Sequence, residues 1–301
     1  MIIPISVACS GAMEPLRHQL AQMMRSLWLS HYSNRPGQLF AGAQNRLTIL
    51  VASRQETNPN GYSTRYHRWD SKRGERENLF PCLQYQLLHG ATSAFHRLLP
   101  KLGCLEAQNA LEKIRSTKTV EFTASKNGTH SVFWVRVPGY FCQFLLKPPM
   151  AKPEDGGPDR IRGEVNEIRF HDRDMCRLVH AVLNSSTYYQ FFCTYTDTRH
   201  INPSDVSGFP LDPTNFRKDT REKLNELSGK LTKCFAAHKT VWRKSGLLID
   251  SIDSKSCKAV VDEIDIELGH HFGFTEDELD FIINYDIKYR MGQGSGEDQG
   301  E

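Results

Sequence analysis

No apolar run in this chain of 301 residues is long enough to cross a bilayer as a helix. The opening stretch Met1 to Ala8 is apolar, but it is short and carries no cation, so it does not read as a secretory leader. Charge of one sign is not in excess either. The 38 Lys and Arg against 35 Asp and Glu leave a net charge of +3, which does not by itself announce a polyanionic partner. Eight cysteines stand at 9, 82, 104, 142, 176, 193, 234 and 257 without any Cys-x-x-Cys pair. The expectation is of reduced, mostly buried thiols and no bound metal. No Glu-x-Lys pair occurs, and Asp253-Ser254-Lys255 and Asp286-Ile287-Lys288 lack an evident upstream carboxylate, so a nuclease site is not supported. Together these absences point to a cytoplasmic protein, in which Asn127-Gly128-Thr129 is a hairpin turn and not a glycosylation site.

The length is enough for two domains with cores of their own, and the distribution of charge says more than its sum. Between Arg65 and Arg76 the chain places Arg65, His67, Arg68, Lys72, Arg73 and Arg76 around Tyr66 and Trp69, while acidic residues gather from Asp262 to Asp280 and in the last five positions. Cations interleaved with large aromatics suit a phosphate backbone and its bases; a solvated strand edge is the plainer alternative.

In chain order, residues 1 to 8 read as a buried parallel strand. A helix carrying Leu16, Leu20, Met23, Met24 and Leu27 follows, and then a second apolar strand from Arg46 to Ala52. Strand, helix, strand is half of an α/β sheet. Phe80 to Arg115 reads as helical. Thr119 to Phe122, Ser131 to Val137 and Tyr140 to Leu146 read as short strands, 148–163 as loop, and Glu167 to Phe170 as another strand. Met175, Val179, Val182, Ser186, Tyr189 and Cys193 recur at helical spacing after a capping Asp172. The turn residues Asn202-Pro203-Ser204-Asp205 then carry Arg199 and His200 at the mouth of that helix. After Pro213, Leu224, Leu227, Leu231, Cys234, His238 and Val241 trace a heptad seam on one long helix to about Lys244. The chain closes with a helical hairpin, stopped at Gly273 and restarted by Thr275 with Glu278. The adjacent His270 and His271 point to different faces of a helix end and do not suggest metal.

Four blocks carry a resemblance: Leu183 to Leu211, Ile2 to Ser53, Tyr62 to Tyr85, and Ile264 to Gly292. They resemble the C-terminal portion of type II and type IIG restriction-modification N6-adenine DNA methyltransferases, whose last part is a TaqI-like specificity domain. The resemblance implies an α/β remnant of a class I methyltransferase sheet over 1–60, then an α+β target-recognition domain over 61–212. It further implies a long helix over 213–245, a helical hairpin over 246–291 and a disordered tail over 292–301. It implies double-stranded DNA as partner, a role in phage defence, and S-adenosylmethionine as cofactor of the complete enzyme. The family's catalytic Asn-Pro-Pro-Tyr motif has no counterpart here. Asn58-Pro59 continues as Asn60-Gly61, and Pro148-Pro149 follows Lys147. No glycine-rich turn after a strand is present to hold the cofactor. The chain is therefore expected to bind no cofactor and to have no catalytic residue of its own, with those parts supplied by an upstream methyltransferase half. A stand-alone, non-catalytic DNA-specificity subunit is the other reading.

The resemblance also places an aromatic just before the Arg46 to Ala52 strand, where it stacks on the adenine flipped from the duplex; Phe40 is the nearest match, with a core role as its alternative. Candidate DNA contacts are Arg65, Tyr66, Arg68, Trp69, Lys72, Arg73 and Arg76, joined by Arg199, His200 and Asn202. The last three either read base edges or hold their own loop.

Overall fold

A computed structural model describes residues 1–55, 60–70, 74–88 and 98–292. Lys72, Arg73, Asn58-Pro59 and the acidic tail lie outside the described residues. The chain forms two compact units. The first comprises 1–109 with 191–198, and the second 110–190 with 199–292. A boundary at 60 would cut a sheet in two, because the strand Asn60–His67 pairs with the strand Ser26–Tyr32.

That sheet belongs to the first unit. Its strands are β1 (Ile2–Pro4), β2 (Ser26–Tyr32), β3 (Leu47–Ser53), β4 (Asn60–His67) and β5 (Gln86–Leu88), in the order β1-β3-β2-β4-β5. Helices α1 (Ser6–Cys9) and α2 (Glu14–Met23) fill the connection from β1 to β2. Only β2 and β4 run parallel, from Ser26 opposite Asn60 to Tyr32 opposite His67, and the other three pairings are antiparallel. The expected buried parallel strand at the start is thus an antiparallel edge strand, with Met1 70% and Ile2 52% exposed. A short edge strand needs no cover on both faces. Leu27, expected on a helix, belongs to β2, and Val7, Ala8, Leu20, Leu29, Leu50 and Leu99 form one apolar cluster of this unit. At the far end of β2, Tyr32, Leu39, Trp69 and Leu79 form another.

The second unit holds two smaller sheets. Strands β6 (His130–Val135), β7 (Phe144–Leu145) and β10 (Val165–Phe170) form one, ordered β10-β6-β7. The other contains β8 (Met150–Pro153), β9 (Arg160–Ile161), β11 (Lys239–Lys244) and β12 (Leu247–Ile252), ordered β11-β12-β8-β9. The stretch 148–163, expected as loop, therefore supplies two strands. Thr119 to Phe122, expected as strand, contains most of a helical turn. Helices α3 (Leu105–Lys113) and α4 (Val120–Thr123) precede the sheets. Later in the chain come α5 (Arg173–Leu183), α6 (Ser186–Tyr195), α7 (Pro203–Ser207), α8 (Lys218–Ala237), α9 (Lys258–Phe272), α10 (Glu276–Ile283) and α11 (Ile287–Arg290).

The long heptad helix ends at Ala237. Ser245 and Gly246, with φ of 51° and 73°, make a two-residue turn that folds the remainder into the β11–β12 hairpin. Val241, the last residue of the expected seam, is 60% exposed. The expected helical hairpin over 246–291 begins instead with strand β12, and its helices run from α9 on: Gly273 takes φ 70°, Thr275 Oγ1 accepts from Glu278 N, and Glu278 in return accepts from Thr275 N at 2.8 Å.

The expected single helix after Asp172 is two helices. Asp172 caps α5 by accepting from the Asp174 and Met175 amides, and every residue from Leu178 to Leu183 is buried. Asn184 leaves the helix to imitate a strand partner: its Oδ1 accepts from Phe144 N at 3.1 Å and its Nδ2 donates to Phe144 O at 3.0 Å. Ser185 Oγ then accepts from Tyr188 N to begin α6. Asp265, on α9, accepts from Ser186 N at 2.8 Å, and Arg290 donates to Ser186 Oγ at 2.9 Å. Burial pushes the Asp265 carboxyl up to about 6, against the opposing pull of those hydrogen bonds and of Arg290 and Lys258. Residues 183–190 are thus the structural hub of this unit. Among the described residues no helix is long and apolar enough to cross a membrane.

Candidate nucleic-acid interface

The parallel pair β2 and β4 delivers two segments to the same end of the first sheet, 33–46 after β2 and 68–85 after β4. The first is a closed loop. Ser33 Oγ donates to Arg35 O at 2.7 Å, Asn34 Nδ2 donates to Gln44 O at 2.9 Å, and the Arg35–Pro36 peptide is cis. Gly37 lies flat against the Trp69 indole, where any Cβ would overlap the ring. Glycine is required there for close approach and not for its backbone angles. Leu39 turns inward and the next residue, Phe40, turns outward, 44% exposed.

The second segment clasps the first. Arg76 Nη2 donates to the Leu39 carbonyl at 3.0 Å. Glu75 Oε2 accepts from Asp70 N at 2.8 Å. Phe80, 50% exposed, packs on Tyr32 with ring centres 5.9 Å apart. Arg46 Nε donates to Tyr66 OH at 3.0 Å, and the Arg68 guanidinium lies 5.0 Å above the Tyr66 ring. Exposed aromatic surface and arginines are thereby gathered on one rigid end of the sheet.

Two expected contacts are corrected. Tyr66 is fully buried and Trp69 is 1% exposed, the latter edge-on to Tyr32 at 6.2 Å. Neither ring has a free face for a sugar or base; they are the wall on which the loops stand. Arg65 and Arg68 are half-buried and Arg76 is exposed. His31, beneath this end, is fully buried between Thr48 Oγ1 at 2.9 Å and Ser63 Oγ at 3.1 Å. Burial, helped by the charges of Lys101 and His67, holds it neutral, well below the usual imidazole range.

Arg199, His200 and Asn202 belong to the second unit. They precede α7 on a mount fixed at Ile201, whose N–H donates to Arg136 O at 2.8 Å and whose carbonyl accepts from Trp134 Nε1 at 3.0 Å. Asn202 holds its own turn: its Nδ2 and its backbone N–H both donate to Asp205 Oδ2, at 3.0 and 2.8 Å. Of the three, Arg199 is the exposed one.

The second unit also has a cleft of about 520 Å³ whose walls include Arg115, Arg217, His270 and His271. Phe216 stacks on His271 with ring centres 3.6 Å apart, and burial, aided by Arg217, lowers the His271 pKa. The sequence shows no sign of this concavity, because its walls come from three separate segments, 113–116, 210–217 and 270–272.

One further cluster escaped the sequence reading. Cys234 and Cys257 are joined as a disulfide, not separate reduced thiols, and His238 adjoins both sulfurs. The Cys-x-x-x-His spacing of Cys234 and His238 at the end of α8 was the available signal.

No family model matches the sequence, and no curated protein does. Among solved structures, the chain is similar to the type IIL restriction-modification enzyme MmeI, determined in complex with DNA. The TM-score is 0.44 and the identity 8%, over 96% of this chain and 49% of that one. The chain thus spans about half the length of that neighbour.

Proposed function

We propose that this chain is the DNA-binding, target-recognition part of a site-specific N6-adenine DNA methyltransferase from a restriction-modification or phage-defence system. The observation that supports it most is the exposed Phe40, presented on a loop that Arg76 fastens from the neighbouring segment. A flat apolar ring on a rigid, arginine-rich mount suits an unstacked base flanked by phosphates. In this reading Phe40 stacks on the displaced adenine. Arg65, Arg68 and Arg76, with Lys72 and Arg73, neutralise backbone phosphates. Arg199 reads a base edge from the second unit, guanine being its geometric match. Asn202, its amide committed to Asp205, orients that turn.

The methyl donor site and the Asn-Pro-Pro motif lie outside these 301 residues in this reading, and S-adenosylmethionine is the cofactor of the complete enzyme. Without it the chain binds DNA and does not methylate.

Fluorescence anisotropy with a labelled duplex, titrated across a range of salt, tests the reading. Binding that weakens linearly in log affinity against log salt is expected, with a further gain for a duplex carrying an unpaired adenine. Absence of binding at low salt would overturn it.

A further inference from the structure

Cys234 sits in the last turn of α8, His238 is the residue that caps that helix, and Cys257 ends the short 3-10 turn before α9. The three ligand atoms lie within 4.8 Å of one another. His238 Nδ1 is 3.6 Å from Cys234 Sγ and 3.9 Å from Cys257 Sγ. Zinc–sulfur bonds of about 2.3 Å and zinc–nitrogen bonds of about 2.0 Å, held at tetrahedral angles, require a sulfur-to-nitrogen edge of about 3.6 Å. The imidazole nitrogen therefore already stands near that edge length from both sulfurs. In the disulfide form the two sulfurs are bonded to each other, and Nδ1 faces the Cys234 carbonyl at 3.0 Å.

We propose that the reduced chain binds one divalent ion of the zinc class through Cys234 Sγ, Cys257 Sγ and His238 Nδ1, and that the disulfide is the oxidised, metal-free form of the same site. The exposed side of His238 leaves the fourth position to water. Conversion needs a thiol reductant. A dithiol delivers two electrons and two protons to the Cys234–Cys257 bond and leaves as its own disulfide. The two thiols then lose their protons to solvent as the ion binds, and His238 keeps its remaining proton on Nε2.

The position gives the ion a task. The chain between the two cysteines contains the β11–β12 hairpin, which carries Trp242, Arg243 and Lys244, with the Lys244 ammonium 5.2 Å from the Trp242 ring centre. The ion ties the end of α8 to the start of α9 at the root of that hairpin, as the disulfide does in the oxidised chain. The exposed hairpin is anchored in both redox states.

Cobalt(II) is the probe. The full chain is reduced with a phosphine, desalted under nitrogen and titrated with Co²⁺, with far-ultraviolet circular dichroism verifying the fold. The expected result is one equivalent bound, with thiolate-to-cobalt charge-transfer absorption and the intense visible bands of a tetrahedral ion, displaced by Zn²⁺. Cys234→Ser and Cys257→Ser each remove or halve the charge-transfer band. His238→Ala, at an exposed position, weakens binding by more than the roughly tenfold that loss of even an outer-shell partner costs. Cys82→Ser, an exposed cysteine elsewhere, changes nothing. If a cysteine variant unfolds, the His238 variant carries the test. A folded, reduced chain with no thiolate–cobalt absorption would overturn the proposal, as would affinity unchanged in His238→Ala.

Discussion

Arg76 donates to the carbonyl of Leu39 across 3.0 Å, so an arginine that follows β4 holds the backbone immediately before the exposed Phe40. A cation so placed has two functions in the proposed interface. It fixes the loop with one of its nitrogens and leaves the rest of an exposed guanidinium to meet a phosphate.

Replacing Arg76 with Ala is expected to weaken duplex binding and to reduce the slope of log affinity against log salt by about one ion. Folding stability falls by no more than about 1–3 kcal/mol, the value of one charged hydrogen bond. Anisotropy titrations at several salt concentrations, with a urea melt alongside, measure both.

Phe40 and Trp69 lie on the same loop system but make opposite predictions. Trp69→Ala empties a fully buried indole site and is expected to cost about 3–5 kcal/mol of stability. Phe40→Ala is expected to leave the melting midpoint nearly unchanged, within about 0.5 kcal/mol, while losing about 1–3 kcal/mol of affinity for a duplex with an unpaired adenine. A Phe40 variant that melts early and binds normally would make that ring structural.

Arg199 and Asn202 separate in the same way. Asn202→Ala removes a side chain bonded to Asp205 and should lower stability by about 1 kcal/mol. Arg199→Ala should relax preference at one base position by about 1–3 kcal/mol. Competition binding across a set of single-base variants of the duplex reads the second effect.

His180 supplies a pH dependence. It is fully buried on α5, with Nδ1 2.9 Å from Ser228 Oγ on α8, and burial lowers its pKa to about 4 from an ordinary value of 6.5. The folded chain disfavours the proton, so this contribution is complete above pH 6.5 and is lost as pH falls toward 4. Fully titrated, it is worth about 3 kcal/mol. Asp265 acts in the opposite sense: its raised pKa favours the folded state at low pH, and that benefit disappears between pH 3.8 and about 6. Comparing wild type with His180→Gln isolates the histidine. The variant's melting temperature should fall less steeply between pH 6.5 and 4.5.

The sequence was most legible where structure is local. Gly273, Thr275 and Glu278 specify a helix stop and restart within six residues, and both are where the residues place them. It was least legible where a pattern admits two periods. Val241 continues the helical spacing of α8 and equally fits the alternation of β11. Ser245-Gly246, the turn that decides between them, looks ordinary in a list of residues. At the candidate interface the basic cluster is visible in the sequence, but the burial of its aromatics Tyr66 and Trp69 is not. Composition does not say that Trp69 is covered by Gly37 from a loop about thirty residues earlier. Cys234 and His238 were one helical turn apart in plain view, whereas Cys257 reaches them only through the intervening β11–β12 hairpin.

The first unit takes residues 191–198 from far along the chain, and there Lys101, 1% exposed, donates its ammonium protons to the carbonyls of Thr194 at 2.8 Å and Thr196 at 2.7 Å. Severing the backbone once, after Asn109, therefore does not liberate that unit. The excised piece leaves behind two carbonyls that accept from a buried ammonium, and their loss is destabilising. Fragment 1–109 should need a peptide covering 191–198 to fold.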